Sequence, residues 1–209
     1  MRKIVLQMMT TLNGRLDDPG AWVHGVSDDQ YRSINRIHDS FDTVLVGRTT
    51  YEEMAAYWPG ALASGEGTES NRRMARRMHD YRKLVFSRSD REPISPWHGA
   101  ELVVTRSDDE VAEYLTRLKA AAGRDIHLAG GASFAQSVLG VGLVDELQLF
   151  VYPTISSGAA WFAQLPDGLE LKLLASDTFE NGVVRMHYAV GTPATRGVPE
   201  RFTELLTPP

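Results

Sequence analysis

The stretch with the clearest chemical capacity is Asp125-Ile-His-Leu-Ala-Gly-Gly-Ala-Ser-Phe-Ala-Gln136, a short apolar run that meets two adjacent glycines, Gly130 and Gly131. A helical segment opened by Ala132 and Ser133 and carrying Phe134, Val138 and Leu139 follows directly. Glycines at a strand-to-helix turn allow close backbone approach, and the helix behind them offers unpaired N–H groups and a positive dipole end to an anion. The spacing is not GxGxxG, so a Rossmann dinucleotide-binding unit is not implied. Gly47-Arg48-Thr49-Thr50 repeats the device after another apolar run, with a guanidinium suited to a phosphate and two hydroxyls that either bind or cap. Ser87-Arg88-Ser89 follows a third such run. Three anion-friendly strand ends, where α/β sheets place their ligands, fit a molecule with more than one phosphate.

Other groups carry two readings each. Asp28 and Asp29 open a helix, where the dipole favours carboxylates; in a pocket they would instead anchor an amino-heterocycle or pass a proton through water. Trp22 and His24, in the first long loop, either form part of a lid or cover core. Asp145-Glu146 either begins a central strand or makes a polar turn before it. Arg72, Arg73, Arg76 and Arg77 share one helix face, which reads as a solvated surface balanced by Glu66, Glu69 and Asp80. No aromatic platform interleaves with those arginines, which sets nucleic-acid binding aside.

The elements that must hold these residues alternate between strand and helix. Lys3 to Thr10 reads as a buried strand, and residues 11–20 as a polar loop. Ser27 is a candidate N-cap for a helix from Asp28 to Ser40 with Tyr31, Ile34, Ile37 and Phe41 on one face. A strand at 43–46 turns into a helix expected to end before Pro59, with 59–70 a Gly-rich loop. A helix at 70–80, strands at 83–86 and 101–105, a helix at 108–121, a strand at 126–129 and a helix at 132–140 continue the alternation, which implies a mostly parallel sheet. Leu147 to Tyr152 alternates, and 169–179 with 183–190 read as an antiparallel hairpin across Glu180-Asn-Gly182. The expected architecture is α/β, a mixed and mostly parallel sheet flanked by helices and finished by an antiparallel hairpin. It occupies one domain over 1–191, followed by a proline-bearing tail at 192–209.

Bulk composition narrows the partners. The chain has 209 residues, 43% hydrophobic and 23% charged, enough for one domain with a sizeable core. A net charge of −5 gives no general attraction to nucleic acid or to an anionic membrane. Without cysteine there is no disulfide, thiolate nucleophile or Cys-based zinc site, and the six histidines form no i,i+4 pair, so no metal is expected. The apolar run after Met1 is too short for a signal peptide, and no 18-residue apolar span exists; a cytoplasmic protein is expected.

Four segments in this order, Ile4 to Gly14, Val44 to Glu52, Ile126 to Phe134, and Leu143 to Leu149 with Pro153, resemble the dihydrofolate reductase-like superfamily. The similarity is greatest to its riboflavin-biosynthesis branch, the RibD C-terminal domain family, and covers roughly residues 2 to 190. The resemblance implies NADPH as cofactor. Gly47, Arg48, Thr49 and Thr50 would hold its phosphates, Ser87 and Arg88 would lie near the adenosine 2′-phosphate, and Gly130 and Gly131, with Ala132 and Ser133 behind them, would meet the pyrophosphate. Asn13 and Gly14 would belong to the loop over the nicotinamide. It also implies a homodimer joined through the C-terminal antiparallel strands. Two departures bear on substrate: the family's Ser-x-Asp-Gly loop is here Thr11-Leu-Asn13-Gly14, and a later glycine loop reads Ser156 to Phe162, one residue shorter.

The sequence therefore reads as an NADPH-dependent reductase that transfers hydride to a C=N or C=O of a small heterocycle, of pyrimidine or pterin type or resembling 5-amino-6-(5-phosphoribosylamino)uracil. Asp28 or Asp29 would anchor substrate or relay a proton, with Asn13 beside them among the catalytic candidates. The Cys/His set of a zinc deaminase is missing, which implies a standalone reductase. A dihydrofolate or other pterin reductase, and an NADPH-binding module without turnover, stay open as alternatives.

Overall fold

A computed structural model describes residues 1–90, 94–158, 160, 161, 165 and 168–191; the expected tail at 192–209 lies outside them, as do Ala159 and Phe162 of the shortened loop. The apolar runs become strands β1 (Ile4–Thr11), β2 (Phe41–Gly47), β3 (Arg82–Ser87), β4 (Ala100–Val104), β5 (Asp125–Leu128) and β6 (Glu146–Tyr152). Together with β7 (Leu171–Thr178) and β8 (Val184–Val190) they form one sheet, in the order β4, β3, β2, β5, β1, β6, β8, β7. Pairing is parallel from β4 across to β6 and antiparallel from β6 to β8 to β7. Parallel strands covered on both faces read as continuous hydrophobic runs, which is why Ile4-Val-Leu and Val44-Leu-Val do not alternate.

Each face of the sheet carries its own core. Helices α1 (Asp28–His38), α2 (Arg48–Ser64) and α3 (Glu69–Asp80) lie on one face, where Ile34, Tyr51, Met74 and Met78 pack with Val5, Val44, Val46 and Val85. On the other face α4 (Asp108–Ala120) and α5 (Ala132–Gly140) bring Val111, Leu115, Val138 and Leu139 against Ile4, Leu6, Leu45 and Leu84. Leu115 is fully buried, so its truncation to alanine would cost about 2–5 kcal/mol. Among the described residues no helix is long and apolar enough to cross a membrane.

Two boundaries differ from the sequence reading, and one cap makes a different bond. Phe41 begins β2 instead of extending the α1 face, because the helix stops at His38. Helix α2 does not end before Pro59; it runs through the proline to Ser64, so most of the expected 59–70 loop is helical. A proline deletes one rung of the ladder, and here the turn that stops the helix is Gly65, held left-handed at φ 62°. Ser27 does sit at the N-cap of α1 in extended backbone, but its hydroxyl bonds the Asp29 carboxylate and not a helix N–H.

The order of strands fixes where a ligand can sit. Adjacent strands β2 and β5 send their following helices, α2 and α5, to opposite faces of the sheet. Their carboxyl ends therefore open a crevice, the switch point at which open α/β sheets hold ligands.

Candidate functional site

A cavity of about 480 Å³ occupies that crevice. Gly47, Arg48, Thr49 and Thr50 line it from the end of β2, Ser87 and Arg88 from the end of β3, and Gly131, Ala132 and Ser133 from the end of β5. Two helices thus begin at one cavity. Neither α2 nor α5 has a side-chain cap: their N-cap residues are Gly47 and Gly131. Of the other helices, Thr68 caps α3 and Ser107 caps α4 through their hydroxyls, while Ser27 at the start of α1 makes no such bond. First-turn N–H groups have no partner within their own helix, so the two glycine-led termini present their donors and dipole ends to whatever fills the cavity.

The glycines have a second task. Gly130 and Gly131 adopt φ of 109° and 84°, a region side chains rarely occupy, and a Cβ on Gly131 would stand 3.3 Å from the Gly47 backbone. Gly47 in turn donates its N–H to the Gly130 carbonyl at 3.3 Å. The pair both packs the two turns against each other and keeps the mouth of the crevice free of side chains. Phe86 and Phe134, stacked with centroids 4.4 Å apart, form an apolar wall.

Arg88 is held at the rim. Its guanidinium donates to the Thr105 carbonyl at 3.2 Å and to Ser137 Oγ at 3.4 Å, and pairs with Asp108. The Arg88 hydrogen bond, with help from Ser137, keeps the Asp108 carboxyl below its usual range. Ser87 Oγ donates to the Ser89 carbonyl at 2.7 Å and accepts from the Ser89 N–H, which shapes the turn that brings Arg88 round.

A second cavity, of about 320 Å³, lies past the carboxyl end of β6 on the α1 face. The first loop covers it with Trp22, His24, Val26 and Ser27, and Tyr152, Pro153, Thr154 and Asn181 complete its wall. Trp22 packs edge-on to Tyr152 with centroids 5.5 Å apart, so these residues of the loop are lid and core cover at once. Behind the wall, Asn181 Nδ2 donates to Gln30 Oε1 at 2.8 Å and Gln30 Nε2 donates to the Tyr152 hydroxyl at 3.2 Å. Burial pushes the Tyr152 phenol above its ordinary pKa, so it stays neutral.

A match to the RibD C-terminal domain model spans residues 2–185. The chain belongs to the RibD C-terminal domain family. The uncharacterized protein YyaP of Bacillus subtilis is 28% identical over 188 residues, covering 90% of this chain and 94% of that one. A pyrimidine reductase-like protein from Corynebacterium diphtheriae matches in structure at a TM-score of 0.62 and 15% identity, over 91% of this chain and 92% of that one. Dihydrofolate reductase from Enterococcus faecalis, solved as a complex with NADP(H), matches at 0.59 and 12% identity, over 91% and 97%. The fold is thus dihydrofolate reductase-like, as the sequence motifs implied.

Within this family frame the residues expected at the phosphates come together at the first cavity, with Gly130 directly behind its wall. Gly14 does not line it. It reaches the same region through Trp161, whose backbone N–H donates to the Gly14 carbonyl at 2.8 Å and whose indole donates to the Ala132 carbonyl at 3.2 Å. Asn13, in place of the family's aspartate, faces its partner loop: Nδ2 donates to the Ser156 carbonyl at 2.6 Å and Oδ1 accepts the Ser156 N–H at 3.2 Å. An aspartate could not make the first of these bonds, which gives the departure a structural reason.

Asp28 and Asp29 are not among the residues lining either cavity. Asp28 pairs with Arg32, and the Thr68 and Ser70 hydroxyls beside it hold its carboxyl below the ordinary range. Asp29 accepts from the Ser27 hydroxyl, from the Gln30 N–H at 2.8 Å and from the Glu180 N–H at 3.0 Å, so it ties the start of α1 to the hairpin turn; the Ser27 bond leads in lowering its pKa. The residue in that first turn which points at the sheet is Gln30, fully buried. The sequence reading missed it together with Tyr152 and Asn181, since only the periodicity of α1, continued back one turn from Ile34, signals that position 30 faces inward.

Proposed function

We propose that this protein is an NADPH-dependent reductase acting on a small heterocyclic substrate. The observation that carries the reading is the convergence of two helix N-termini, each led by glycine and lacking a side-chain cap, on one cavity rimmed by Arg48 and Arg88. That donor set fits a pyrophosphate, and a fixed guanidinium at the end of β3 fits one further phosphate, which distinguishes NADPH from NADH. When bound, the nicotinamide supplies a hydride. Strands are spaced about 4.8 Å apart, so the end of β6 lies about 10 Å from the end of β5, within the span of a dinucleotide. The second cavity is then the place for the hydride acceptor.

In this reading the chain's own residues bind, orient and exclude water. The α2 and α5 termini hold the pyrophosphate; Ser87 shapes the turn that presents Arg88. Asn13 ties the first loop to Ser156, and Trp161 ties Gly14 of that loop to Ala132 at the start of α5. Asp29 fixes the start of α1 to the hairpin and acts as a positioning residue. One observation favours a second reading, an NADPH-binding module without turnover: both first-helix carboxylates are engaged in structural contacts. Spectrophotometric assay of NADPH oxidation across small heterocycles bearing C=N or C=O separates the two. Turnover supports the reductase; tight NADPH binding with no oxidation on any of them supports the module.

A further inference from the structure

We infer that the second cavity takes an uncharged, unphosphorylated heteroaromatic ring, an inference that rests on the reductase reading above. The two cavities differ in charge. The first carries Arg48 and Arg88, whereas the described residues lining the second include no lysine or arginine. Its surfaces are Trp22, Val26, Tyr152 and Pro153, flat and apolar. The one helix end beside it, at Ser27, is followed by Asp28 and Asp29, whose negative charges oppose an anion where a bare helix N-terminus would attract one. A phosphate entering this cavity would give up water and meet no compensating charge.

Size points the same way. At about 320 Å³ the cavity lies at the low end of small-molecule sites, which run from about 300 to 1,000 Å³, a size that suits a single ring system. Polar side chains on the lining are those of His24, Ser27, Thr154, Asn181 and the Tyr152 hydroxyl. That hydroxyl receives a hydrogen bond from Gln30 Nε2, and its own proton has only the Met9 sulfur, at 3.6 Å, as acceptor. Sulfur is a weak acceptor, so a ring carbonyl or ring nitrogen would compete for that proton successfully. The site thus reads shape and hydrogen bonding, not charge.

The test is a calorimetric titration of the whole protein, first with NADP⁺ and then, at saturating NADP⁺, with two ligand pairs: diaminouracil against its phosphoribosylamino counterpart, and lumazine against its ribosyl phosphate. The free rings are expected to bind about tenfold tighter than their phosphorylated partners. Tyr152→Phe is expected to weaken the free rings by about tenfold while leaving NADP⁺ affinity unchanged; it also takes the acceptor from buried Gln30 Nε2, so the melting temperature is expected to fall by a few degrees. Thr154→Arg, which adds a cation to the wall, is expected to favour the phosphorylated member. Tighter binding of the phosphorylated ligands by the unaltered protein, or binding of NADP⁺ with no binding of either ring, overturns the inference and leaves the cofactor reading standing. Absence of NADP⁺ binding overturns both.

Discussion

Removing the Arg88 guanidinium should separate NADPH from NADH. A hydrogen bond to a charged group contributes about 1.5–3 kcal/mol. Arg88 falls short of the upper end, because its side chain is 49% exposed and Asp108 already partly neutralises it. The expected loss in Arg88→Ala is therefore about 1–1.5 kcal/mol, or about 5- to 13-fold in Kd for NADPH. NADH lacks the additional phosphate and should change by less than about twofold, near 0.4 kcal/mol. Asp108→Asn supplies the opposite arm: with its countercharge gone, Arg88 should hold NADPH more tightly and NADH no differently. Isothermal titration of both cofactors against the three proteins is the assay. An equal loss for NADPH and NADH in Arg88→Ala would refute the placement of the extra phosphate at the end of β3.

Three further outcomes follow from packing and charge. Gly131→Ala places a Cβ 3.3 Å from the Gly47 backbone at φ 84°, a strain of about 1–2 kcal/mol, so the melt should fall by about 2–8 °C; an unchanged melt would show that the two turns are not in contact. His127 is fully buried with neither ring nitrogen bonded among the described residues, and burial pushes its pKa to about 3. Between about pH 6.5 and pH 3 the unfolded chain then holds the extra proton, so stability is lost as pH falls, by up to about 1.4 kcal/mol per unit; His127→Leu should flatten that slope, and parallel melts of the two proteins would contradict it. Leu171, Leu173 and Leu174 are 43–55% exposed on edge strand β7, an apolar edge that a second copy would cover. Sedimentation is expected to give twice the mass of the 23.2 kDa chain and Leu173→Lys to return it to one, whereas a monomeric wild-type protein would refute the dimer.

Much of this was legible in the sequence because backbone demands leave marks. Gly130-Gly131 between an apolar run and a helix announced the turn, and the two positive φ values show why glycine suits both positions. The uninterrupted runs at 4–6 and 44–46 indicated strands covered on both faces. What stayed hidden depended on direction in space. Asp28 and Asp29 carry the charge that suggests chemistry, but the rotation of α1 turns Gln30 inward instead, and only packing on the sheet fixes that rotation. Pro59 looked like a stop because its local effect is unfavourable, yet the flanking helix outweighs one lost rung and ends at a glycine instead. Asn13 looked like a weakened catalytic position; its amide is matched to the Ser156 backbone, a partner 143 residues away that no local pattern reveals.

The most direct test of the central claim is a fluorescence titration of the wild-type protein with NADPH and, separately, with NADH. The account expects saturable NADPH binding at one site per chain, with NADH about 5- to 13-fold weaker, matching one additional, partly screened phosphate contact. Equal affinity for the two cofactors, or no saturable NADPH binding, would contradict it.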